Sequence, residues 1–201
     1  VTVETTGTML TGADIAAAAT ALEPFPIFSL GLNCATGPEQ MTSHVRWLSQ
    51  HWPGRVSVIP NAGIPSVVEG QTHYPLTPQG FAAAQQTFVT RDGVSIVGGC
   101  CGTTPEHIAA LVQAVGDVQP ADRDPQWTPS LSSAYQAVAI RQDPAPLLIG
   151  ERANANGSKA FREALLADDF AGALKIGASQ EAEGAHAADL CTAYAGRDEL
   201  A

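Results

Sequence analysis

Short apolar runs alternate with segments of helical spacing four times over residues 1–116, and this recurrence limits the fold more than any other feature. Residues 1–4 read as a strand. Ile15, Ala18, Ala19 and Leu22 then follow helical spacing, closed by Glu23-Pro24. Residues 26–33 give a second strand, with 27–32 at its heart. Met41, Val45, Leu48 and Trp52 mark a helix face opened by Pro38 and closed by Pro53-Gly54. Residues 55–60 are a third strand, followed by a loop over 61–75. Thr77 and Pro78 suit an N-cap and first-turn proline, ahead of Phe81, Ala84 and Phe88. Residues 94–97 are a fourth strand. Thr104-Pro105 opens a helix carrying Ile108, Leu111, Val112 and Val115, with Gly116 just past its end. Successive βα units imply a parallel sheet, either doubly wound or a (β/α)8 barrel. A whole barrel takes about 250 residues, so this stretch can supply only about half of one.

Residues 117–146 interrupt the pattern. They hold five of the 14 prolines and many polar residues, and read as a linker with a short helix over 134–140. A new βα pattern follows in 147–201. Residues 147–150 form its strand, Ser158 its N-cap, and Phe161, Leu165 and Phe170 its apolar anchors; 185–191 are a second strand. The formal charge of −10 argues against nucleic acid or an acidic membrane surface as partner. No apolar run reaches the roughly 18 residues a membrane helix needs. The chain opens Val1-Thr2-Val3-Glu4, without a basic region or initiator Met, so its natural N-terminus is expected upstream.

Four cysteines, unevenly spaced, make no disulfide framework, and the adjacent Cys100 and Cys101 would be strained as a bridge. Cys100 and Cys101 lie in Gly98-Gly99-Cys100-Cys101-Gly102-Thr103-Thr104-Pro105, after one strand; Cys34 follows Gly31-Leu32-Asn33, after another. Parallel α/β folds carry function at the carboxyl ends of strands, where three thiols would thus converge. Three thiolates suit a catalytic zinc with one open position. A substrate thiol there would itself be held as thiolate, leaving a net negative and hence nucleophilic complex. The helix opening at Thr104 directs its positive end towards the Cys pair. Cys191 alone reads as an ordinary buried cysteine. The five histidines form no ligand-like cluster: His44 and His51 belong on the solvated side of their helix, His107 in an exposed first turn.

Residues 31–38 (Gly-Leu-Asn-Cys-Ala-Thr-Gly-Pro), Pro60-Asn61-Ala62-Gly63 and the Gly98 to Pro105 segment resemble the homocysteine S-methyltransferase family in order and spacing. The resemblance implies a zinc-bearing (β/α)8 barrel in which Cys34, Cys100 and Cys101 bind zinc and zinc activates homocysteine. It also places Asn61 near the metal, as a ligand or a supporting contact, and allows Glu4 at the same mouth to meet the substrate amine. Residues 149–158 (Ile-Gly-Glu-Arg-Ala-Asn-Ala-Asn-Gly-Ser), with Glu183-Gly184-Ala185-His186 and Asp189-Leu190-Cys191, look like the opening of a pterin-binding barrel. Two barrels in this order are similar to the cobalamin-dependent methionine synthase family. The resemblance thus implies three segments: 1–116, the C-terminal half of a homocysteine barrel; 117–146, a linker; 147–201, the start of a pterin barrel. Arg152, Asn154 and Asp189 would then contact the pterin. Partners would be homocysteine, methyltetrahydrofolate and a cobalamin-binding domain whose Asp-x-His-x-x-Gly signature is absent here, in the cytoplasm. The pterin-like part departs from the family pattern at Ala153, Ala188, Ala193 and Ala195. The alternatives are a cobalamin-independent homocysteine methyltransferase, or a truncated zinc-binding product without turnover.

Overall fold

A computed structural model describes residues 1–194 of the 201. The chain divides into two compact units, Val1–Ala137 and a second beginning at Val138; the division falls inside the span read as linker.

In the first unit, Asp14 accepts from the Ala17 N–H at 2.6 Å and caps α1 (Ile15–Leu22). Next come β1 (Ser29–Asn33), α2 (Pro38–His51) and β2 (Arg55–Ile59). A hairpin follows, β3 (Ser66–Val68) with β4 (Gln71–His73), then α3 (Pro78–Asp92), β5 (Ile96–Val97) and α4 (Pro105–Val115). β1, β2 and β5 form one parallel sheet in that order, with Leu30 opposite Val56 and Val58 opposite Val97. Val56 and Val58 alternate into a core with Leu30, Leu32, Met41, Val45, Leu48, Trp52, Phe88 and Val94. Met41, Val45 and Leu48 recur at helical spacing, so one face of α2 covers the sheet. Thr77 caps α3 through the Gly80 N–H and Gly93 ends it in the left-handed region, φ +64°.

Several expectations need correction. Residues 1–4 are not a strand, although the Val1 amine donates to the Gly31 carbonyl and the Asn33 N–H to the Val1 carbonyl, the spacing of one parallel rung beside β1. The second strand begins only at Ser29, because turn bonds from Phe25 to Leu22 and Ile27 to Phe25 hold the preceding residues out of line. The 61–75 loop contains the β3–β4 hairpin. Residues 137–139 are β7 (Ala137–Ala139), not helix, after β6 (Ser130–Ser132). Ser133 there donates its N–H to the Gln136 carbonyl and closes a turn where a helix would have opened. The left-handed freedom of Gly116 is unused, since its φ is −56°.

Residues 117–132 are strapped to the first unit. Arg123 donates to the carbonyls of Leu48, Ser49, Trp52 and Gly54, satisfying the end of α2. The Gln126 N–H reaches the Gln50 carbonyl at 2.7 Å, and Trp127 packs edge-on to Trp52 at 5.8 Å. Removing the guanidinium leaves those carbonyls short of donors beside a helix C-terminus that favours a cation. Arg123→Ala is therefore expected to destabilise the first unit by about 2 kcal/mol in urea unfolding. A change under about 0.5 kcal/mol, the range of an ordinary surface substitution, would mean the strap is incidental.

The second unit contains β8 (Ile149–Asn154), α5 (Lys159–Leu166), α6 (Phe170–Ala182) and β9 (Ala187–Cys191). β8 and β9 pair in parallel, with an irregularity between Gly150 and Ala153. β8 runs four residues beyond the expected end of its strand. Ser158 caps α5 as expected, and Phe161 and Leu165 are buried with Ala153 and Ala155. Phe170, expected as an anchor, is 61% exposed in the first turn of α6. Ala153 is thus a core position, where its small side chain packs. Ala195 lies outside the described residues.

Candidate metal centre

Cys34 follows β1 directly, and Cys100 and Cys101 stand three and four residues after the end of β5. β2 lies between those two strands, and its end stitches the thiol loops together. The Cys34 N–H donates to the Ile59 carbonyl at 3.1 Å and the Cys100 N–H to Pro60 at 2.8 Å. The Asn61 N–H reaches the Thr36 carbonyl, its side-chain oxygen accepts from the Cys101 N–H at 3.1 Å, and the Ala62 N–H returns to the Cys101 carbonyl. Asn61 is 3% exposed. Its side-chain oxygen thereby fixes the Cys101 backbone.

The three sulfurs lie within 4.8 Å of one another, Cys34 to Cys101 at 3.7 Å and Cys100 to Cys101 at 3.9 Å. All are free thiols. Tetrahedral zinc with sulfurs at about 2.3 Å puts neighbouring sulfurs about 3.8 Å apart. Two of the three spacings therefore match those around a zinc ion, and the soft donor set fits it chemically. Three sulfurs leave one tetrahedral position for a further ligand.

The local backbone is specialised. Cys34 and Ala35 both have positive φ, 60° and 57°, a conformation that costs a non-glycine residue energy and gathers at functional sites. A Cβ on Gly31 would lie 1.9 Å from the Ser57 carbonyl oxygen, so only glycine lets β1 approach β2 this closely three residues before Cys34. On the other side, Thr103 turns back to the Cys100 carbonyl through both its N–H and its hydroxyl.

The thiols differ in acidity. The Ala35 N–H, then the Cys100 thiol, hold Cys34 below the ordinary thiol range, against burial and the charge of Glu4. Burial first, then Cys34 and Cys101, push Cys100 up to about 11. Sequence reasoning missed Tyr74. Burial, and next the charge of Cys101 and contact with it, hold its phenol above the ordinary range. Only its place near a thiol loop, invisible in linear order, marks it out.

His107, expected to be exposed, is 7% exposed. Its ring completes a capping box with Thr104 and bonds the Leu76 carbonyl at 2.9 Å, fixing α4 behind the Cys pair. His44 is half-buried, and burial holds its imidazole below the ordinary range. His51 stacks on Trp47.

In the second unit, the Asn154 side-chain N–H at the end of β8 donates to Asp189, in the middle of β9, at 2.9 Å. Arg152 is tied instead to Glu183 beyond α6. Cys191 is half-buried and approached by the Asn156 amide at 3.7 Å. A groove of about 480 Å³ between α2 and α3 contains none of the thiols.

Parallel strands thus bring three free thiols together, close enough to hold a metal ion, in an α/β protein. Residues 1–115 match the family model for homocysteine S-methyltransferase, and the chain belongs to that family. It is 51% identical over 201 residues to the methionine synthase of Mycobacterium tuberculosis, and 50% identical over 206 residues to that of Mycobacterium leprae. All of this chain is covered in both cases, and it spans 17% of the length of each relative.

Proposed function

We propose that this chain carries the homocysteine-activating centre of a cobalamin-dependent methionine synthase, followed by the opening of its folate-binding part. The observation that carries the reading is the cluster of Cys34, Cys100 and Cys101, with sulfurs 3.7 and 3.9 Å apart and room for one more ligand. Zinc held there supplies Lewis acidity, keeping a substrate thiol ionised at neutral pH. The chain's own residues do the rest. Asn61 orients Cys101, the Ala35 N–H favours the Cys34 thiolate, and Glu4 offers a carboxylate to the amine of homocysteine.

On this reading residues 1–116 are the C-terminal half of a zinc barrel, 117–146 join the barrels and 147–201 begin the pterin barrel. The methyl group comes from methyltetrahydrofolate by way of cobalamin bound in another domain. Asn154 at the end of β8 and Asp189 on β9 would meet the pterin, with Arg152 nearby. Identity across all 201 residues with two methionine synthases supports this over a cobalamin-independent enzyme, as does the βα pattern after residue 146. Reduced thiols suit a cytoplasmic location.

The test is cobalt(II) substitution. Thiolate-to-cobalt absorption should be present in the loaded protein and rise by about a third when homocysteine adds a fourth sulfur to three. Methionine, whose thioether is a much poorer ligand, should cause no such rise. An unchanged spectrum with homocysteine would reject the assignment.

A further inference from the structure

Where β5 runs out beside the end of β2, the backbone ladder lacks one donor. The Gly98 N–H donates to the Val58 carbonyl at 3.2 Å and the Cys100 N–H to the Pro60 carbonyl at 2.8 Å, a step of two residues on each side. A parallel ladder with those two rungs brings the N–H of residue 60 to the Gly98 carbonyl. Residue 60 is a proline and has no N–H to give. The donor comes from α3 instead: the Gln85 side-chain amide bonds the Gly98 carbonyl. Gln85 is wholly buried, on the same helix as the buried Phe81 and Phe88. Because a carbonyl can only accept, the amide nitrogen faces Gly98. The amide oxygen is left buried, with no hydrogen-bond partner among the described residues.

A buried amide oxygen without a partner costs stability, and a methionine of similar volume would fill the space without that cost. What only the amide supplies is a donor at Gly98, two residues before Cys100. Beyond Gly98 the turn is held at the Cys100 N–H by Pro60, at the Cys101 N–H by Asn61 and at the Cys100 carbonyl by Thr103. Gln85 therefore fixes the strand end from which this turn starts. A metal needs all its sulfurs in place at once, and a loop that is in place only part of the time reduces apparent affinity to that fraction. We propose that Gln85 is a positioning residue for the metal centre: it supplies the donor that Pro60 lacks and so presets the loop of Cys100 and Cys101 before metal arrives. The proposal rests on the metal-thiolate reading above.

The experiment uses Gln85→Met, which removes the donor and the unpartnered oxygen together. Chelator competition reads zinc affinity, and the melting temperature in excess chelator reads stability without metal. The variant is expected to bind zinc about five- to tenfold more weakly, the effect of one ordinary hydrogen bond. Its metal-free melting temperature should stay within about 2 °C of wild type. Saturated with cobalt(II), the two should show the same thiolate-to-cobalt absorption, since all three sulfurs remain. Gln86→Met is the control: the Gln86 amide donates to the Ala114 carbonyl at 2.7 Å, near the far end of α4, and its loss should change zinc affinity less than about twofold. Equal zinc affinity in Gln85→Met and wild type would overturn the proposal alone. Equal weakening in Gln85→Met and Gln86→Met, with lowered melting temperatures in both, would overturn it in favour of a purely structural role. Hydrogen exchange on the metal-free wild type needs no variant: the Cys100 and Cys101 amides should be protected, and exchange at the free-chain rate would show that the loop is not preset and overturn the proposal. A wild-type chain that binds no zinc would overturn the metal reading and this proposal together.

Discussion

The reduced chain is expected to bind one zinc, and Cys100→Ser to bind it at least about a hundredfold more weakly. Zinc held by thiolate-rich sites in small domains is worth about 10–16 kcal/mol, so each of three sulfurs contributes several kcal/mol, or at least two decades of affinity. Serine keeps the shape but offers an oxygen that stays protonated at neutral pH. The effect should be repeated by Cys34→Ser and Cys101→Ser, since their sulfurs are mutually within 4.8 Å. Cys191→Ser is the control: its sulfur contacts Asn156 and Ala193 and lies outside the cluster. A competition titration with a chromophoric chelator reads the affinities. Circular dichroism of the variants separates ligand loss from unfolding. Undiminished binding in Cys100→Ser, or equal loss in Cys191→Ser, would remove the basis for the assigned ligand set.

The legible part of this fold is the part set by local chemistry. Thr77-Pro78 and Thr104-Pro105 announce helix starts because a hydroxyl cap and a proline without a free N–H suit the first turn, and α3 and α4 begin there. Met41, Val45 and Leu48 reveal a buried face through spacing alone. The thiol cluster was legible for a topological reason: parallel strands put their carboxyl ends on one side, so residues after β1 and β5 had to approach one another. What stayed hidden depends on distant partners. Arg123 looks like a linker residue until α2 places its last carbonyls beneath it. His107 looks solvated until Leu76, 31 residues away, supplies an acceptor. The hairpin before Tyr74 has all six strand residues exposed, so no burial pattern announces it. Arg152 shares a strand end with Asn154, and its pairing with Glu183, 31 residues away, is likewise invisible in linear order.

Acidity should couple the centre to stability in opposite senses with and without metal. In the metal-free fold Cys100 is pushed up to about 11, chiefly by burial, so at neutral pH it carries a proton that zinc must displace. Cys34, held low by the Ala35 N–H, gives up its proton more readily. Protonated thiols do not ligate, so zinc affinity must fall as pH falls. Release of about two to three protons per zinc predicts a loss of about two to three decades in affinity per pH unit below neutrality. The sign reverses for the metal-free protein. A thiol whose folded pKa exceeds its unfolded value of about 8.5 contributes stability that is present below that value and lost as pH rises towards 11. The melting temperature of the metal-free chain should therefore decline above about pH 8.5. The increment produced by zinc should grow over the same range. Thermal unfolding from pH 6 to 10, with zinc or with a chelator, measures both slopes. A zinc increment that stays constant across that range would mean that the metal displaces no thiol protons, and would rule out Cys100 as a ligand.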